Sequence, residues 1–309
     1  MNERDVIARL RRIATDPAAR GLADDAALLD GFVLTHDTIA EGVHFLPFDP
    51  PASVGWKLVA VNLSDLAAKG ATSRAALLSM TISDSEWDEL FLDGVEAACE
   101  SYGVALIGGD TIALPPGAPR VLGLTAIGKA GERTPARSGG RPGDRLWLVG
   151  TLGDSAAGLA QLLDDPKSAG PLVDHYRRPV PLLAAGPVLA REATAMMDVS
   201  DGLLLDLARL CEASGCGADV DLDALPLSRA FIAERGQSRK SRLFAATGGD
   251  DYALLAALPP DADPLRLSLP RPTTIAAIGT LAEAAGIRLA DAAGAVELPE
   301  ALGYEHRRH

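Results

Sequence analysis

Seven short segments, spread over the whole chain of 309 residues, each place an aspartate beside an apolar run. An aspartate in such a place stands near the end of a strand or helix, where its short, anionic side chain is presented. Loops of this kind that converge would form a cage of carboxylate oxygens, which hard divalent cations prefer, and Mg²⁺ usually accompanies the phosphates of a substrate. The pattern therefore predicts a site for several metal ions and phosphate groups. In chain order the segments are DDAALL (Asp24, Asp25), THDT (Asp37), NLSDLAAKG (Asp65), GGDT (Asp110), LGDSAAG (Asp154), MDVSDG (Asp198, Asp201) and TGGDDY (Asp250, Asp251).

Charge and composition exclude several classes of protein. The formal net charge of −13 argues against nucleic acid or an anionic membrane surface as the main partner. No apolar run reaches the roughly 18 residues of a membrane span, and the N-terminal segment lacks the apolar core of a signal peptide. The three cysteines, Cys99, Cys211 and Cys216, lie in apolar patterns, which favours core packing over metal or redox chemistry. We therefore expect a reduced, cytoplasmic protein.

The order of elements indicates an α+β architecture with two α/β domains. In the first half, helices accompany strands of an antiparallel sheet, and the helices cover one face of that sheet. The segment 131–144, rich in Gly, Pro and Arg, separates the domains, which we assign to residues 1–135 and 136–309. The patterns predict helices over 2–15, 53–69, 86–102, after the LGDSAAG turn and over 202–213, a hairpin over 26–36 turning at Asp30-Gly31, and strands over 74–82, 104–109, 120–130, 145–150, up to Met197, over 251–258 and near 274–280.

Two of the glycine-containing segments allow both a structural and a functional interpretation. LGDSAAG follows a strand as a phosphate loop would, but it lacks the Gly-Lys-Ser/Thr ending, which favours a turn with Asp154 or Ser155 capping a helix. In GGDT, two glycines would let backbone N–H groups approach a phosphate closely, with Asp110 on a metal. A β-turn with a hydrogen bond from Asp110 to its own backbone explains the same four residues equally well.

Two further segments place a carboxylate where a structural role is hard to find. In MDVSDG, Ser200 and Asp201 suit the start of a helix, but Asp198 completes an apolar strand. In NLSDLAAKG, Asp65 lies inside a small, apolar helix, and a buried carboxylate needs a partner. A cation is the economical partner for both. His44, in EGVHF, is either a core histidine or a contact to an anionic substrate.

Taken together and in order, these motifs resemble the thiamine-monophosphate kinase family, which belongs to the superfamily of aminoimidazole ribonucleotide synthetase. The resemblance rests on WKLVAVNLSDLAAKGA, LIGGDT, RSGGRPGD, GDSAAGLA, DVSDGLLLDL and TGGDDY, and it spans nearly the whole chain. It implies an N-terminal domain that binds ATP and metal and dimerises through its sheet, followed by a C-terminal α/β domain. It also implies ATP and thiamine monophosphate as substrates, several Mg²⁺ ions and a homodimer.

The resemblance carries roles to individual residues. Asp37, Asp65 and Asp110 would be catalytic, Gly109, Asp110, Arg137 and Ser200 would contact ATP, and Tyr102 would lie near the nucleotide. His44, Asp250 and Tyr304 would contact thiamine monophosphate. The implied metal ligands are Asp25, Thr35, His36, Asp37, Asp65, Asp110, Asp198 and Asp201.

Two positions depart from the family pattern. The family usually has a hydroxyl residue where this chain has His36, and imidazole is a poor ligand for Mg²⁺. Either the backbone carbonyl of His36 serves or one metal contact is lost. The family also usually has a glutamate where this chain has Asp250, whose carboxylate reaches less far.

The implied reaction is direct, in-line transfer of the γ-phosphate of ATP to thiamine monophosphate, the final step in making thiamine diphosphate. The acceptor is an ionised phosphate oxygen, so a strong general base is not needed, and several Mg²⁺ ions would screen two polyanions. Two alternatives remain: another ATP-dependent activity of the superfamily, or a non-catalytic protein that binds Mg²⁺ and nucleotide. The related activities that use a reactive cysteine place it near one end of the chain, whereas the first cysteine here is Cys99.

Overall fold

In the computed structural model of the chain, residues 3–82, 84–270 and 273–305 are described, and their strands form two sheets. The helices are α1 (Glu3–Leu10), α2 (Pro51–Ala68), α3 (Ser85–Tyr102), α4 (Asp154–Asp164), α5 (Pro171–Arg177), α6 (Gly186–Ala190), α7 (Leu203–Ser214), α8 (Arg229–Arg235) and α9 (Arg239–Thr247). The strands are β1 (Ala27–Leu29), β2 (Phe32–Ala40), β3 (Thr72–Ile82), β4 (Ala105–Ala113), β5 (Val121–Lys129), β6 (Arg145–Val149), β7 (Ala195–Val199), β8 (Gly217–Asp221), β9 (Ala253–Leu258), β10 (Ile275–Ala282), β11 (Gly286–Asp291) and β12 (Gly294–Val296).

The first sheet has the order β1-β2-β5-β3-β4, and its pairs are antiparallel except for β3 and β4. Asp30 and Gly31 both have positive φ, 49° and 81°, which is the backbone that a tight two-residue hairpin turn requires. Helices α2 and α3 cover one face, as predicted. Gly94 permits their close contact, because a Cβ there would lie 2.0 Å from the carbonyl oxygen of Ala52.

The opposite face of this sheet is open. Its edge strand β4 is exposed along its whole length, although it carries the large apolar side chains of Leu106, Ile107 and Ile112. The side chain of Ile107 is 61% exposed. A long, apolar edge strand is the kind of surface that proteins cover with another chain or element.

The second sheet has the order β12-β11-β8-β10-β6-β9-β7 and is mostly antiparallel, with β8 and β11 parallel. Strands β7 and β9 are buried along their whole length. Helices α4, α7 and α9 pack their apolar sides on one face around Leu204, Leu207 and Phe231. Cys99, Cys211 and Cys216 are all buried free thiols, which confirms the prediction of core packing.

Helix α2 lies between the two sheets. It packs against β2 and β5 on one side and against β7 and α6 on the other, so almost every residue after its first turn is buried. Gly186 of α6 permits this contact, since a Cβ there would lie 2.1 Å from the carbonyl oxygen of Ala67. The segment between β5 and β6 links the sheets, and a boundary between residues 135 and 136 remains our proposal.

Several local predictions were wrong. Helix α1 ends at Leu10 rather than at residue 15, and Ile13 is 73% exposed, so a further turn would bury nothing. The GGDT segment lies inside β4, so the strand continues through these residues and they do not form a β-turn. Its Gly109 is needed because β3 passes so closely that a Cβ would lie against the carbonyl oxygen of Leu78.

No helix in the described part of the chain is long and apolar enough to cross a membrane.

Two helix caps also differ from the prediction. The first turn of α4 is capped by Asp251, whose carboxylate accepts from the N–H groups of Gly153 (2.6 Å) and Ser155 (3.3 Å). Neither Asp154 nor Ser155 caps this helix. Ser200 likewise does not cap α7, which begins after Gly202. For α4 the capping carboxylate is 98 residues away in the chain, so residues next to the helix do not reveal it.

Candidate active site

Three of the predicted aspartates converge beside α2. Asp25, Asp65 and Asp198 each offer a carboxylate oxygen, and the three oxygens lie within 4.8 Å of one another. Asp25 precedes β1, Asp65 lies on the penultimate turn of α2, and Asp198 is near the end of β7, so the two sheets both contribute. This spacing of buried carboxylates suits a multivalent cation, since like charges at this separation repel strongly.

Hydroxyl groups hold two of these carboxylates in place. Ser64 donates a hydrogen bond of 2.5 Å from its Oγ to Oδ2 of Asp198. Thr35, which faces α2 from β2, donates from its Oγ1 to Oδ2 of Asp65. Each hydroxyl is an oxygen ligand that lies next to the carboxylates. Thr35 was a predicted metal ligand, whereas Ser64 was not.

Burial raises the pKa of three carboxylates in this region, those of Asp37, Asp65 and Asp198. It raises the pKa of Asp198 to about 8, and the neighbouring Asp25 adds to the shift. Burial, followed by the charges of Asp37 and Asp198, raises the pKa of Asp65 well above its ordinary value of 3.8. Burial also raises the pKa of Asp37 to about 6, against the opposing charge of His36. The positive charge of a bound divalent cation would oppose these shifts.

Two protein cations lie at one side of this group. Arg137 donates from its Nε to Oδ1 of Asp25 at 2.6 Å, and the Nζ of Lys69 lies 2.6 Å from Oδ2 of the same carboxylate. Lys69 is completely buried and also contacts Oδ1 of Asp24 (2.5 Å) and the carbonyl oxygen of Met196 (2.8 Å). Burial opposes the ionisation of Asp24, but Lys69 and Arg20 outweigh it and lower its pKa. The DDAALL segment is thereby tied to β7.

The loop after β7 is shaped by Asp206. Its Oδ2 accepts from the N–H groups of Ser200 and Asp201, both at 3.0 Å, and its Oδ1 accepts from Arg209 at 2.9 Å. Burial raises the pKa of Asp206 to about 7, with Asp201 adding to the shift. Arg209 also pairs with Asp201 at 2.5 Å. Asp201 is therefore held at the edge of the carboxylate group, partly exposed.

A second group of residues lies next to this loop and contains two predicted substrate contacts. The N–H of Asp250 donates to the carbonyl oxygen of Ser200 at 2.7 Å. Its carboxylate contacts the Nζ of Lys57 at 2.7 Å and accepts from the hydroxyl of Tyr252 at 2.9 Å. Lys57 also donates to the carbonyl oxygen of His44 at 2.9 Å. His44 and Asp250, which come from different sheets, are thus brought together.

Tyr304 joins the same region from the end of the described chain. Its backbone N–H donates to the carbonyl oxygen of Asp201 at 2.9 Å, and about half of its side chain is exposed. The carbonyl oxygen of Ser200, the residue before Asp201, accepts from the N–H of Asp250. The backbone of Tyr304 therefore lies one residue away from the point where Asp250 contacts the loop after β7.

Other predicted site residues lie elsewhere. In the first sheet, Asp110 of β4 lies opposite Ser79 of β3, and Ser79 lies opposite Gly123 of β5. Gly123 in turn lies opposite Thr38 of β2. Paired residues point to the same face, so Asp110 points to the open face, three strand spacings, about 14 Å, from β2. His36 is on that face too, where its Nδ1 lies 2.9 Å from Oγ1 of Thr125.

The remaining two predicted nucleotide contacts also lie apart from the carboxylates. Gly109 lies on β4 beside Leu78 of β3. Tyr102 ends α3 and packs on Trp56, with 5.4 Å between the ring centroids. Burial raises the pKa of the Tyr102 hydroxyl to about 12.

Sequence reasoning missed five polar residues of this region, which are Lys57, Asn62, Ser64, Lys69 and Asp206. Four of them lie in WKLVAVNLSDLAAKG, where they interrupt an apolar helix in the same way as Asp65 does. The argument applied to Asp65, that a polar group in a buried helix needs a partner, applies to them equally. Asp206 gave no such signal, because an acidic residue in the first turn of a helix is common.

The chain matches two family models and several curated proteins. The N-terminal and C-terminal domain models of AIR synthase related proteins match residues 23–130 and 141–291. The thiamine-monophosphate kinase of Salmonella typhimurium is 41% identical over 251 residues, which cover 77% of this chain and 76% of that protein. The thiamine-monophosphate kinase of Caulobacter vibrioides is 38% identical over 274 residues, covering 84% and 77%.

Solved structures give the same picture. AaThiL complexed with AMPPCP and TMP superimposes with a TM-score of 0.86 at 30% identity, over 99% of this chain and 97% of that one. Thiamine-monophosphate kinase from Stenotrophomonas maltophilia gives a TM-score of 0.73 at 36% identity, over 92% and 94%. Hydrogenase maturation protein HypE in complex with ATP shares the fold, with a TM-score of 0.72, but only 21% identity.

Proposed function

Because the chain belongs to the thiamine-monophosphate kinase family, we propose that it transfers the γ-phosphate of ATP to thiamine monophosphate, releasing ADP and thiamine diphosphate. The observation that carries the proposal is the convergence of Asp25, Asp65 and Asp198 from both sheets on one point. A relative of 30% identity binds AMPPCP and TMP, and its fold covers this whole chain.

The donor set fits Mg²⁺. It consists of oxygens alone, from Asp25, Asp65 and Asp198, with the hydroxyl of Thr35 and the carboxylates of Asp37 and Asp201 beside them. Hard cations prefer such ligands, and Mg²⁺ usually takes a few carboxylates together with substrate phosphates. Bound Mg²⁺ would neutralise the phosphates and hold the attacking and leaving oxygens in line.

The residues of the chain supply positioning and charge. The side chain of Arg137 is 22% exposed and pairs with Asp25. A phosphate bound beside it would accept a hydrogen bond from one of the guanidinium N–H groups that now face Asp25. The N–H groups of Ser200 and Asp201 are already bound to Asp206, so Ser200 would use its hydroxyl toward the nucleotide. The acceptor phosphate is ionised at neutral pH, so the site needs no base, and direct transfer requires only that the two phosphates meet.

His44, Asp250 and Tyr304 form the proposed thiamine side of the site. Nδ1 of His44 accepts from the N–H of Ala40 at 3.1 Å, which places its ring proton on Nε2, where a donor to a phosphate is useful. Tyr304 offers an aromatic face to the cationic thiazolium ring. Asp250, which is shorter than the usual glutamate, is 30% exposed and held by Lys57 and Tyr252.

We also propose that the active protein is a homodimer, and that Asp110 and His36 act across its interface. Both lie on the open face of the first sheet, Asp110 on β4 beside its exposed apolar residues and His36 on β2. Within one chain Asp110 is about 14 Å from β2, so it does not reach the carboxylate group. A two-fold partner that covers the open face would bring a second Asp110 towards His36 of β2, the strand that also carries Thr35 and Asp37.

Coupled measurement of ADP release tests the proposed function. We expect release that depends on both Mg²⁺ and thiamine monophosphate, and none when thiamine or an aminoimidazole precursor is supplied instead. ADP release with an aminoimidazole precursor would assign another activity of the superfamily. Binding of ATP with Mg²⁺ but no ADP release with any acceptor would indicate a non-catalytic protein. A cytoplasmic location remains a prediction, supported by the three buried free thiols.

A further inference from the structure

Helix α2 carries two lysines that are almost completely withdrawn from solvent. Lys57, near its start, is 2% exposed, and Lys69, at its end, is fully buried. Burying an ammonium group costs free energy unless the group is paired and hydrogen-bonded. Specific contacts of each lysine must therefore offset this desolvation cost. Lys69 contacts the carboxylate group described above, whereas Lys57 contacts the thiamine side of the site.

The contacts of Lys57 use the whole ammonium group. An ammonium has three N–H donors. Here Nζ lies 2.7 Å from Oδ2 of Asp250, 2.9 Å from the carbonyl oxygen of His44, and 4.1 Å from the centroid of the Tyr176 ring. Two hydrogen bonds and one cation–π contact therefore account for all three donors.

These three partners come from three separate parts of the chain. His44 follows β2 in the N-terminal half, Tyr176 is on α5, and Asp250 precedes β9. The carboxylate of Asp250 is held at both oxygens, by Lys57 on Oδ2 and by the hydroxyl of Tyr252 on Oδ1. Asp250 also has a positive φ of 66°, a backbone conformation that needs support from its surroundings.

We propose that Lys57 is the positioning residue of the thiamine side: it fixes the Asp250 carboxylate and the His44 loop in one arrangement across the two halves of the chain. This inference rests on the proposed function, because it takes His44 and Asp250 as contacts to thiamine monophosphate. Lys57 itself is buried behind them and acts through them. Lys57 thereby holds the shorter side chain of Asp250 at a defined position. A carboxylate that moved freely would bind thiamine monophosphate more weakly.

If Lys57 only neutralised charge, its removal would change the affinity for thiamine monophosphate in the opposite direction. If Lys57 served only to balance the charge of Asp250, its removal would leave a bare carboxylate, which attracts the cationic thiazolium more strongly. The affinity for thiamine monophosphate would then rise. If Lys57 positions Asp250 and His44, the affinity falls. The sign of the change therefore separates the two roles.

The experiment compares Lys57→Met with Leu58→Met in the full-length protein. Leu58 is the neighbouring residue of α2 and is fully buried, so both variants place a methionine inside the same turn and share any general effect of repacking the helix. For Lys57→Met we expect the KM for thiamine monophosphate to rise at least about tenfold, which equals about 1.4 kcal/mol. The KM for ATP should change by less than about twofold. Leu58→Met should leave the KM for thiamine monophosphate within the same twofold limit.

Two further measurements keep the inference testable. Calorimetric titration of thiamine monophosphate without ATP should show the same loss of affinity in Lys57→Met, independently of turnover. Should Lys57→Met fail to fold, Tyr252→Phe decides: it removes only the hydroxyl that holds Oδ1 of Asp250, and it should raise the same KM by about threefold. A thermal unfolding scan shows which of the variants are folded.

Each result decides one question. An unchanged or lowered KM for thiamine monophosphate in Lys57→Met overturns the inference, and so does an equal rise in Leu58→Met. If only Tyr252→Phe can be measured, an unchanged KM overturns it. If the unmodified protein releases no ADP with thiamine monophosphate, the proposed function fails instead, whatever the variants do.

Discussion

Replacing Asp198 by asparagine should stabilise the metal-free protein and at the same time remove its activity. Asp198 is buried within 4.8 Å of two further carboxylates, and its pKa is raised from 3.8 to about 8, first by burial and then by Asp25. Asparagine keeps the shape of the side chain and an oxygen that accepts from Ser64. It removes the charge that the fold resists and that a metal ion requires.

The sign and size follow from proton linkage. Because the pKa of Asp198 is higher in the folded state, its contribution to stability is complete below pH 3.8 and is lost as the pH rises towards 8. At pH 7 the loss is on the order of 4 kcal/mol, and at pH 5 it is less than half of that. We expect Asp198→Asn to recover about half of this loss at pH 7, roughly 2 kcal/mol, which raises Tm by about 4 °C or more.

Thermal unfolding in EDTA at pH 5 and pH 7 measures the effect, with Asp261→Asn as the control at an exposed aspartate. The increase in Tm caused by Asp198→Asn should be clearly larger at pH 7 than at pH 5. The control, Asp261→Asn, should leave Tm unchanged at both pH values. Added Mg²⁺ should raise the Tm of the unmodified protein more than that of the variant. A variant that is less stable than the unmodified protein in EDTA at pH 7 would refute the electrostatic reasoning.

Three other substitutions test the interface and the packing. Asp110→Asn should lower kcat at least about tenfold without changing Tm, because the side chain is exposed on the open face; unchanged kcat would remove Asp110 from the site. Ile107→Glu should convert the dimer into a 32.0 kDa monomer in light scattering, and a persisting dimer would place the interface elsewhere. Gly94→Ala should destabilise the protein by about 2 kcal/mol in denaturant unfolding, since its Cβ meets Ala52, whereas Asp93→Ala should be neutral.

Local patterns were sufficient for most of the fold. The hairpin at Asp30-Gly31, the length of α3 and the apolar runs of β7 and β9 are each specified by residues that lie next to one another. The aspartates at the ends of such runs could therefore be placed in space approximately. The choice of Asp25, Asp65 and Asp198 as metal ligands came from the family resemblance, and the structure brings these three together.

What local patterns missed depends on partners far away in the chain. Asp251 caps α4 from 98 residues further on, and Lys57 pairs with Asp250 over 193 residues. GGDT was assigned to a loop because two glycines usually mark a turn. The structure shows instead that Gly109 lets β3 and β4 approach, which depends on pairing that the segment itself does not specify.

Helix α2 shows why the polar residues of a buried element are the most informative ones. It packs between the two sheets, so a purely apolar helix would fit this place at a lower electrostatic cost. Yet Lys57, Ser64 and Asp65 of α2, and Lys69 directly after its end, are all buried, and each contacts a different part of the site. Local rules are broken at sites where function requires it. These four exceptions therefore favour α2 as the element that sets the distance between the proposed metal side and the proposed thiamine side.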